Sequence, residues 1–127
     1  MFTPTRFAIA TVFSLALTPL AAQDYEKGLA AYRSGDFATA LQDWTPLADQ
    51  GDAEAQYNLG VIYEYGQGVL QDNVMAHMWY NIASANGHEN AGEWRDEREG
   101  LMTPADISKA QAMARECMSS DYTKCGY

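Results

Sequence analysis

Apolar side chains recur every three or four residues along most of the chain, with polar residues in the positions between them. This spacing places the apolar residues on one face of an α-helix. In the stretch AEAQYNLGVIYEY that face consists of Ala55, Leu59, Ile62 and Tyr63. In the stretch NVMAHMWYNIASAN it consists of Ala76, Trp79, Tyr80 and Ala83. The pattern therefore predicts an all-α fold in which each helix buries one stripe.

These stretches are flanked by residues that typically begin or end helices. Asp52 and Asp72 precede the two stretches and are predicted N-caps, while Gly66 follows the first stretch as its stop. Thr103 and Pro104 begin a further predicted helix, TPADISKAQAMARECM. Two earlier stretches, YEKGLAAYR and FATALQDWTPLADQ, are predicted to form a hairpin through the turn SGD, and ENAGEWRDERE is predicted to be a short helix.

Two residues within the predicted helices depart from ideal helix composition. Pro46 removes a backbone N–H donor inside the second predicted helix, which predicts a kink or an early end there. Gly60 lies in the middle of the third, where glycine costs about 1 kcal/mol relative to alanine. We predict that the missing side chain lets the ring of Trp79 or Tyr80 pack against the helix backbone.

A shift of 36 residues brings residues of like kind together. The pairs are Asp36 with Asp72, Ala40 with Ala76, Trp44 with Tyr80, Gly51 with Gly87, and Ala55 with Ala91. A period of this length is typical of stacked helical hairpins, because no single hairpin can bury its apolar face alone. We therefore predict a short α-solenoid, with a degenerate first hairpin at residues 23–52, a complete repeat at 53–87, and a partial repeat with a capping helix at 88–127.

The complete repeat resembles a Sel-one-like repeat, which is a relative of the tetratricopeptide repeat. The residues that carry the resemblance are Ala55, Leu59, Gly60, Tyr63, Gly66, Gly68, Val69, Asp72, Ala76, Trp79, Tyr80, Ala83 and Gly87. The resemblance extends over residues 25–117 and implies stacked antiparallel hairpins closed by a C-terminal capping helix. The flanking units depart from the family pattern: the first has only SGD as its turn, and the third has Arg95 and Asp96 in place of the Leu-Gly pair.

The glycine pair in EYGQGVLQD could in principle cradle a phosphate or reverse the chain. A phosphate-binding glycine loop follows a strand and opens directly into a helix. Here a helix is predicted before the loop, and the loop contains no lysine. We therefore interpret Gly66 and Gly68 as turn residues, with Val69 filling the space between the two helices.

The N-terminal stretch has the pattern of a secretory signal peptide at residues 1–22. Arg6 precedes the apolar run FAIATVFSLAL, and small residues lead to a predicted cleavage site after Ala22. The run is shorter than the roughly 20 residues of a membrane-spanning helix, and a buried N-terminal helix is the alternative. We expect a periplasmic or secreted protein, residues 23–127, that is not inserted in the membrane.

Charge narrows the range of partners. Without Arg6 the chain carries seven basic and 17 acidic residues, a net charge of −10. Nucleic acid and anionic membrane surfaces repel a protein this acidic, so we expect neither as a partner. A second acidic feature is a cluster on one predicted helix, Glu93, Asp96, Glu97 and Glu99. Because arginines alternate with these carboxylates, we interpret the helix as a solvated face with local ion pairs and not as a catalytic site.

Cys117 and Cys125 are the two cysteines of the chain. In an exported protein so close a pair predicts a disulfide that ties the C-terminal tail to the preceding helix. A metal site would need further thiolate or imidazole ligands, and His77 and His88 are distant in sequence. We expect no metal and no cofactor, with His77 partly exposed on its helix and His88 in a turn.

The resemblance implies two functions. The first is an exported adaptor without catalysis, which binds a protein or peptide on the concave face lined by the first helix of each hairpin. The candidate contacts are Tyr32, Tyr57, Asn58 and Trp94, although Tyr57 could instead belong to the core between repeats. The second is a β-lactam-binding or weakly hydrolysing enzyme, since some cysteine-rich members of the family are associated with β-lactams. Those members carry a cysteine pair in each repeat, and residues 55–87 contain none.

Overall fold

The structure, a computed structural model, describes residues 20–127. The predicted signal peptide falls outside this range apart from its last three residues. The described part of the chain consists of α1 (Leu20–Arg33), α2 (Phe37–Ala48), α3 (Ala53–Tyr65), α4 (Asn73–Ala85), α5 (Ala91–Glu99) and α6 (Pro104–Ser119). It contains no strand, so the all-α prediction is confirmed. None of these helices combines the length and apolar content that are needed to cross a membrane.

From α1 to α5 each helix packs against the next along the chain, as in a short α-solenoid. The first hairpin is α1 with α2, the second is α3 with α4, and α5 packs on α4. The last helix, α6, also packs on α4, so α4 lies at the centre of the domain. For this reason the six consecutive residues from Met75 to Tyr80 are all buried.

The helix ends lie where the capping residues predict them. The Asp52 carboxylate accepts a hydrogen bond from the backbone N–H of Ala55 at 2.8 Å. Asp72 accepts from two N–H groups in the first turn of α4, at 2.9 and 3.1 Å. At the start of α6, Thr103 Oγ1 accepts from the N–H of Asp106 at 3.2 Å. Each cap satisfies backbone donors that have no partner within the helix.

The glycine turn between α3 and α4 reverses the chain, as predicted. Gly66 takes the left-handed conformation at φ +63°, and Gly68 has φ +74°. Val69 is partly buried against the core. Gly68 also lies close to α2, since a Cβ atom there would be 3.1 Å from the Cβ of Phe37. In α2, Pro46 lies in the last turn and the helix ends two residues later at Ala48, which agrees with the predicted early end.

The period of 36 residues corresponds to equivalent positions in the two hairpins. Ala40 and Ala76 are both fully buried, and Trp44 and Tyr80 each leave only 1% of their surface exposed. The same equivalence holds at the turns, where Gly51 and Gly87 have φ values of +90° and +95°. Asp36 caps α2 as Asp72 caps α4.

A polar cluster is buried where α3, α4 and α5 meet. Tyr80 donates a hydrogen bond to the Glu64 carboxylate, which also pairs with Arg98 Nη1 at 3.1 Å. The prediction that His77 is partly exposed is wrong, because it is fully buried and its Nε2 lies 3.0 Å from Glu99 Oε1. The interpretation of α5 as only a solvated face is also wrong, since these two contacts clamp α5 to its neighbours.

The other ion pairs of α5 are local, as the sequence predicted, although Arg95 Nη1 also donates a hydrogen bond to Asn81 Oδ1 on α4 at 2.8 Å. Arg95 Nε pairs with the adjacent Asp96 at 2.9 Å, and Arg98 Nη2 lies 3.5 Å from Glu97. The charged helix thus has two sides. One side holds ion pairs between neighbouring residues, and the other carries Arg98 and Glu99 into the domain.

Candidate partner-binding site

The four predicted contact residues lie in two places. Tyr57 and Trp94 pack, partly buried, against one small apolar cluster, which consists of Ala76, Tyr80, Ala83 and Ala91. Tyr32 instead lies in α1, within the first hairpin, and Asn58 on α3 contacts that hairpin. The structure therefore brings two of the four residues together and leaves the other two on the α1 side of α3.

Tyr57 lines an open depression between the start of α3 and the turn that joins α4 to α5. The depression has a volume of about 440 Å³ and is lined by Ala53, Glu54, Tyr57, Gly87, His88, Glu89 and Asn90. Its position follows from the fold. Because the glycine turn sends α4 back alongside α3, the end of α4 returns beside the start of α3.

The floor of the depression is a stacked aromatic pair. The Tyr57 ring and the His88 imidazole lie 4.3 Å apart with only 10° between their planes. On its other side Tyr57 contacts Tyr80, with ring centroids 5.5 Å apart. Tyr57 is thus fixed by two neighbours while part of its surface stays open to solvent. Such a ring presents contact area that is already ordered before a partner arrives.

Hydrogen bonds hold His88 in one orientation. Its Nδ1 accepts from the backbone N–H of Asn90 at 3.3 Å, and its Nε2 lies 3.3 Å from Glu54 Oε2. If Nδ1 is the acceptor, the proton of the neutral ring belongs on Nε2, which then donates to the carboxylate. Both ring nitrogens are therefore engaged, and the imidazole, whose side chain is only 9% exposed, supports one face of the Tyr57 ring.

The depression has an acidic rim. The Glu54 side chain is 61% exposed, and Glu89 is exposed as well. Burial raises the pKa of the Tyr57 phenol, and the negative charges of Glu64 and Glu54 raise it further. Tyr57 therefore stays neutral and keeps its O–H as a hydrogen-bond donor. The site can stack, donate and accept hydrogen bonds, and attract positive charge.

Asn58 and Tyr32 also have structural contacts. Asn58 Nδ2 donates to the Tyr25 hydroxyl at 3.1 Å, which joins α3 to α1. The Tyr32 ring packs against Phe37 and Trp44 at centroid distances of 5.3 and 5.7 Å. Both side chains remain only partly buried. Any binding role that they have is combined with a part in the packing of the first hairpin.

Sequence reasoning did not single out His88, Glu54, Glu89 or Asn90 as site residues. The signal that could have found them is the predicted hairpin itself. Two helices joined by a short turn place the end of the second beside the start of the first, so the residues after Gly87 had to lie near Tyr57. A histidine in that turn, beside a tyrosine one helical turn into α3, was therefore a candidate neighbour.

The family model of the Sel1 repeat matches residues 53–88 and 97–116. The chain contains Sel1-like repeats. Sel1 repeats are helical repeats related to the tetratricopeptide repeat, and they typically mediate protein–protein interactions. The first match covers α3, α4 and the turn that ends in the depression. The second covers the end of α5 and most of α6. No curated protein matches the chain.

Proposed function

We propose that this Sel1-like repeat protein is an exported adaptor that binds a protein or peptide at the depression around Tyr57, without catalysing a reaction. The observation that carries the proposal is the position of Tyr57, whose ring is held by stacking on the nearly buried His88 and lines an open depression. Tyrosine at such a position is typical of the residues that contribute most to binding, because it offers a large contact area at small entropic cost.

The surroundings of Tyr57 support a peptide as the partner. The carboxylates of Glu54 and Glu89 and the phenol of Tyr57 provide acceptors and a donor within one open surface. An extended backbone requires both kinds of group, since its N–H donates and its C=O accepts. Trp94 on α5 packs on the same apolar cluster as Tyr57, and thus extends the aromatic surface beyond the depression.

Two features support export. The first is the signal-peptide pattern of the N-terminal stretch, with cleavage proposed after Ala22. The second is the Cys117–Cys125 disulfide, because such bonds persist in oxidising compartments and are rare in the cytosol. Mass spectrometry of the natural protein tests the proposal directly. An N-terminus near Gln23 is expected, and exported material that begins at Met1 would contradict it.

Photo-crosslinking in living cells tests the binding site. The photoreactive residue p-benzoylphenylalanine replaces Glu89, which lines the depression, and in a matched control it replaces Leu101, which is 66% exposed elsewhere. We expect a discrete crosslinked species from position 89 that position 101 does not give, and that the added change Tyr57→Ala abolishes. Equal crosslinking from both positions would show that the partner does not use the depression.

A further inference from the structure

The C-terminal tail, residues 120–127, folds back over the domain after α6 ends. Two successive non-glycine residues, Asp121 and Tyr122, take positive φ angles of 55° and 62°, and the Tyr122 N–H donates to the Cys117 carbonyl at 2.8 Å. This reverses the chain. Cys125 then forms the disulfide with Cys117, so the tail returns along α6 toward α4.

Beyond the turn, the tail lies across three helices. The Tyr122 hydroxyl accepts a hydrogen bond from Asn86, at the end of α4, at 2.9 Å. Gly126 passes two methionines, since a Cβ atom there would lie 3.3 Å from Met75 Sδ on α4 and nearer still to Met113 on α6. The tail thus follows α4 from its last residue back toward its first turn.

The tail ends on an aromatic contact. The Tyr127 ring stacks on Trp79 with centroids 6.1 Å apart and 20° between the planes. Its hydroxyl donates to Asp49 Oδ1, at the end of α2, at 2.6 Å. Yet 61% of Tyr127 is exposed, whereas Trp79 beneath it is fully buried. Tyr127 is therefore a cover over Trp79 and not a member of the core.

We propose that the tail is an internal ligand that closes a peptide-binding groove formed by α2, α4 and α6, and that the Cys117–Cys125 disulfide is its latch. The groove is defined by Asp49, Met75, Trp79, Asn86 and Met113. When the latch is reduced, the tail dissociates and the groove accepts an extended segment of another protein. That segment carries a tyrosine, because the stacking surface of Trp79 and the acceptor of Asp49 are arranged for one.

The covalent bond is what keeps so small a ligand in place. Apart from the disulfide, the tail is held by the packing of Tyr122, Cys125 and Gly126 on the core, by the stacked ring of Tyr127, and by hydrogen bonds to Asn86 and Asp49. A tethered segment gains its occupancy from a high effective concentration and an ordered backbone, and it loses both when the tether is cut. Neither cysteine lies in α1 to α5, so we expect these helices to stay folded when the bond is reduced.

Opening requires a dithiol reductant. One of its thiolates attacks a protein sulfur, the S–S bond breaks, and a mixed disulfide forms while the other protein sulfur leaves as a thiolate. The second thiol of the reductant then displaces the first protein sulfur, so that two electrons pass to the protein and the reductant ends as a disulfide. Both cysteines are buried, at 0% and 1% exposure, so the attack must await a transient opening of the tail.

The rate of reduction therefore reports how often the tail opens. Tyr127→Ala removes the cover, and Tyr65→Ala is a matched control because Tyr65 is 63% exposed at the end of α3. Under the same concentration of dithiothreitol, we expect the disulfide of Tyr127→Ala to be reduced several-fold faster than that of the control. Equal rates would overturn the idea that Tyr127 holds the tail closed.

Nuclear magnetic resonance of the full mature chain tests the groove itself. The chain has three tryptophans, so three indole N–H signals are expected, and Trp79→Phe identifies the one of interest. On reduction this signal should shift, since the ring of Tyr127 leaves, while the other two signals and the helical circular dichroism stay unchanged. An unshifted Trp79 signal, or loss of helix, would overturn the proposal by showing that the tail stays bound or belongs to the folded core.

A peptide then tests the binding activity. The protein is the full mature chain with Cys125→Ser and Tyr127→Ala, and the probe is a synthetic peptide of residues 119–127 with serine in place of cysteine. At peptide concentrations above the roughly millimolar effective concentration that a short tether supplies, we expect the probe to return the Trp79 signal toward its position in the oxidised protein. The same peptide with alanine in place of its last tyrosine should leave the signal unmoved. No movement with either peptide would overturn the groove as a binding surface, whatever partner is found at Tyr57.

Discussion

Gly28 lies against the indole ring of Trp44 in the same way that Gly60 lies against the ring of Tyr80. In each hairpin a glycine of the first helix lets an aromatic residue of the second approach its backbone. At Gly60 a Cβ atom would stand 2.5 Å from two ring carbons of Tyr80. Two hairpins with different turns thus use one packing device.

This close approach predicts the effect of a larger side chain at residue 60. Gly60→Leu should lower the free energy of unfolding by about 1–3 kcal/mol, because the leucine overpacks the contact with Tyr80. The matched control is Gly100→Ala, since a Cβ atom there would meet only a backbone oxygen at 3.4 Å. Urea denaturation measures both variants. If Gly60→Leu and the control unfold at the same urea concentration, the packing interpretation is incorrect.

The sequence repeat did not reveal that Gly28 and Gly60 are equivalent. A shift of 36 residues aligned the second helices, but the two glycines are only 32 residues apart. The reason is the length of the turns: three residues separate α1 from α2, and seven separate α3 from α4. A single period cannot align both helices of a hairpin when the turn between them changes length. The fold could still be predicted, because the caps and apolar stripes are local signals.

The buried polar cluster could not be predicted in the same way. Glu64 lies four residues after Gly60, so both face Tyr80, and this spacing was visible in the sequence. The positive charge that offsets the burial of the Glu64 carboxylate belongs to Arg98 on α5, 34 residues further along the chain. Pairing at such a distance depends on how the third unit packs on α4, and that unit departs from the repeat pattern.

The ion pair of Glu64 and Arg98 should matter more to stability than the surface pairs. The side chains are only 4% and 13% exposed, so removing one partner leaves the other charge buried. Arg98→Met should cost about 3 kcal/mol. Arg95→Met, which breaks a pair with the exposed Asp96 and a hydrogen bond to Asn81, should cost less, about 1 kcal/mol. Chemical denaturation compares them, and adding Glu64→Gln to Arg98→Met should restore part of the loss. Equal costs for the two arginine variants would contradict a clamping role of Arg98.

Tyr80 predicts a loss of stability at alkaline pH. Burial raises the pKa of its phenol, and the hydrogen bond to Glu64 and the charge of Glu64 raise it further. The folded protein therefore keeps this proton at pH values where the unfolded chain, with a tyrosine pKa of about 10, releases it. The stabilisation is complete below pH 10 and is lost as the pH rises above it, by about 1.4 kcal/mol per pH unit.

Substitution of Tyr80 separates the contribution of its phenol to the pH dependence of stability from the contributions of other groups. Tyr80→Phe should be less stable than the parent at pH 7, since Glu64 loses a donor, but its stability should fall less steeply between pH 10 and 11. The pKa of the Tyr127 phenol is raised in the same direction, by partial desolvation and by the hydrogen bond to Asp49, so part of the slope remains. Unfolding by guanidinium chloride at several pH values gives the slope of stability against pH for the parent and for the variant. Parallel curves would show that Tyr80 is not the group that titrates.

The alternative function predicts a different result in a simple assay. If the protein is an adaptor without catalysis, the purified mature chain should not increase the hydrolysis rate of the chromogenic β-lactam nitrocefin. A heat-denatured sample of the same chain is the control for background hydrolysis. Turnover that saturates with nitrocefin and disappears on denaturation would reject the adaptor proposal in favour of the β-lactam enzyme.

The central claim is that Tyr57 is the main contact of the binding site, and the affinity of the crosslinked partner for purified variants tests it most directly. Tyr65→Ala is the control because it also removes an exposed tyrosine from α3. Isothermal titration calorimetry should show the affinity of Tyr57→Ala reduced at least tenfold, which is about 1.4 kcal/mol or more. Tyr65→Ala should bind like the parent, and circular dichroism should show both variants folded. A folded Tyr57→Ala variant that binds with the affinity of the parent would contradict the account.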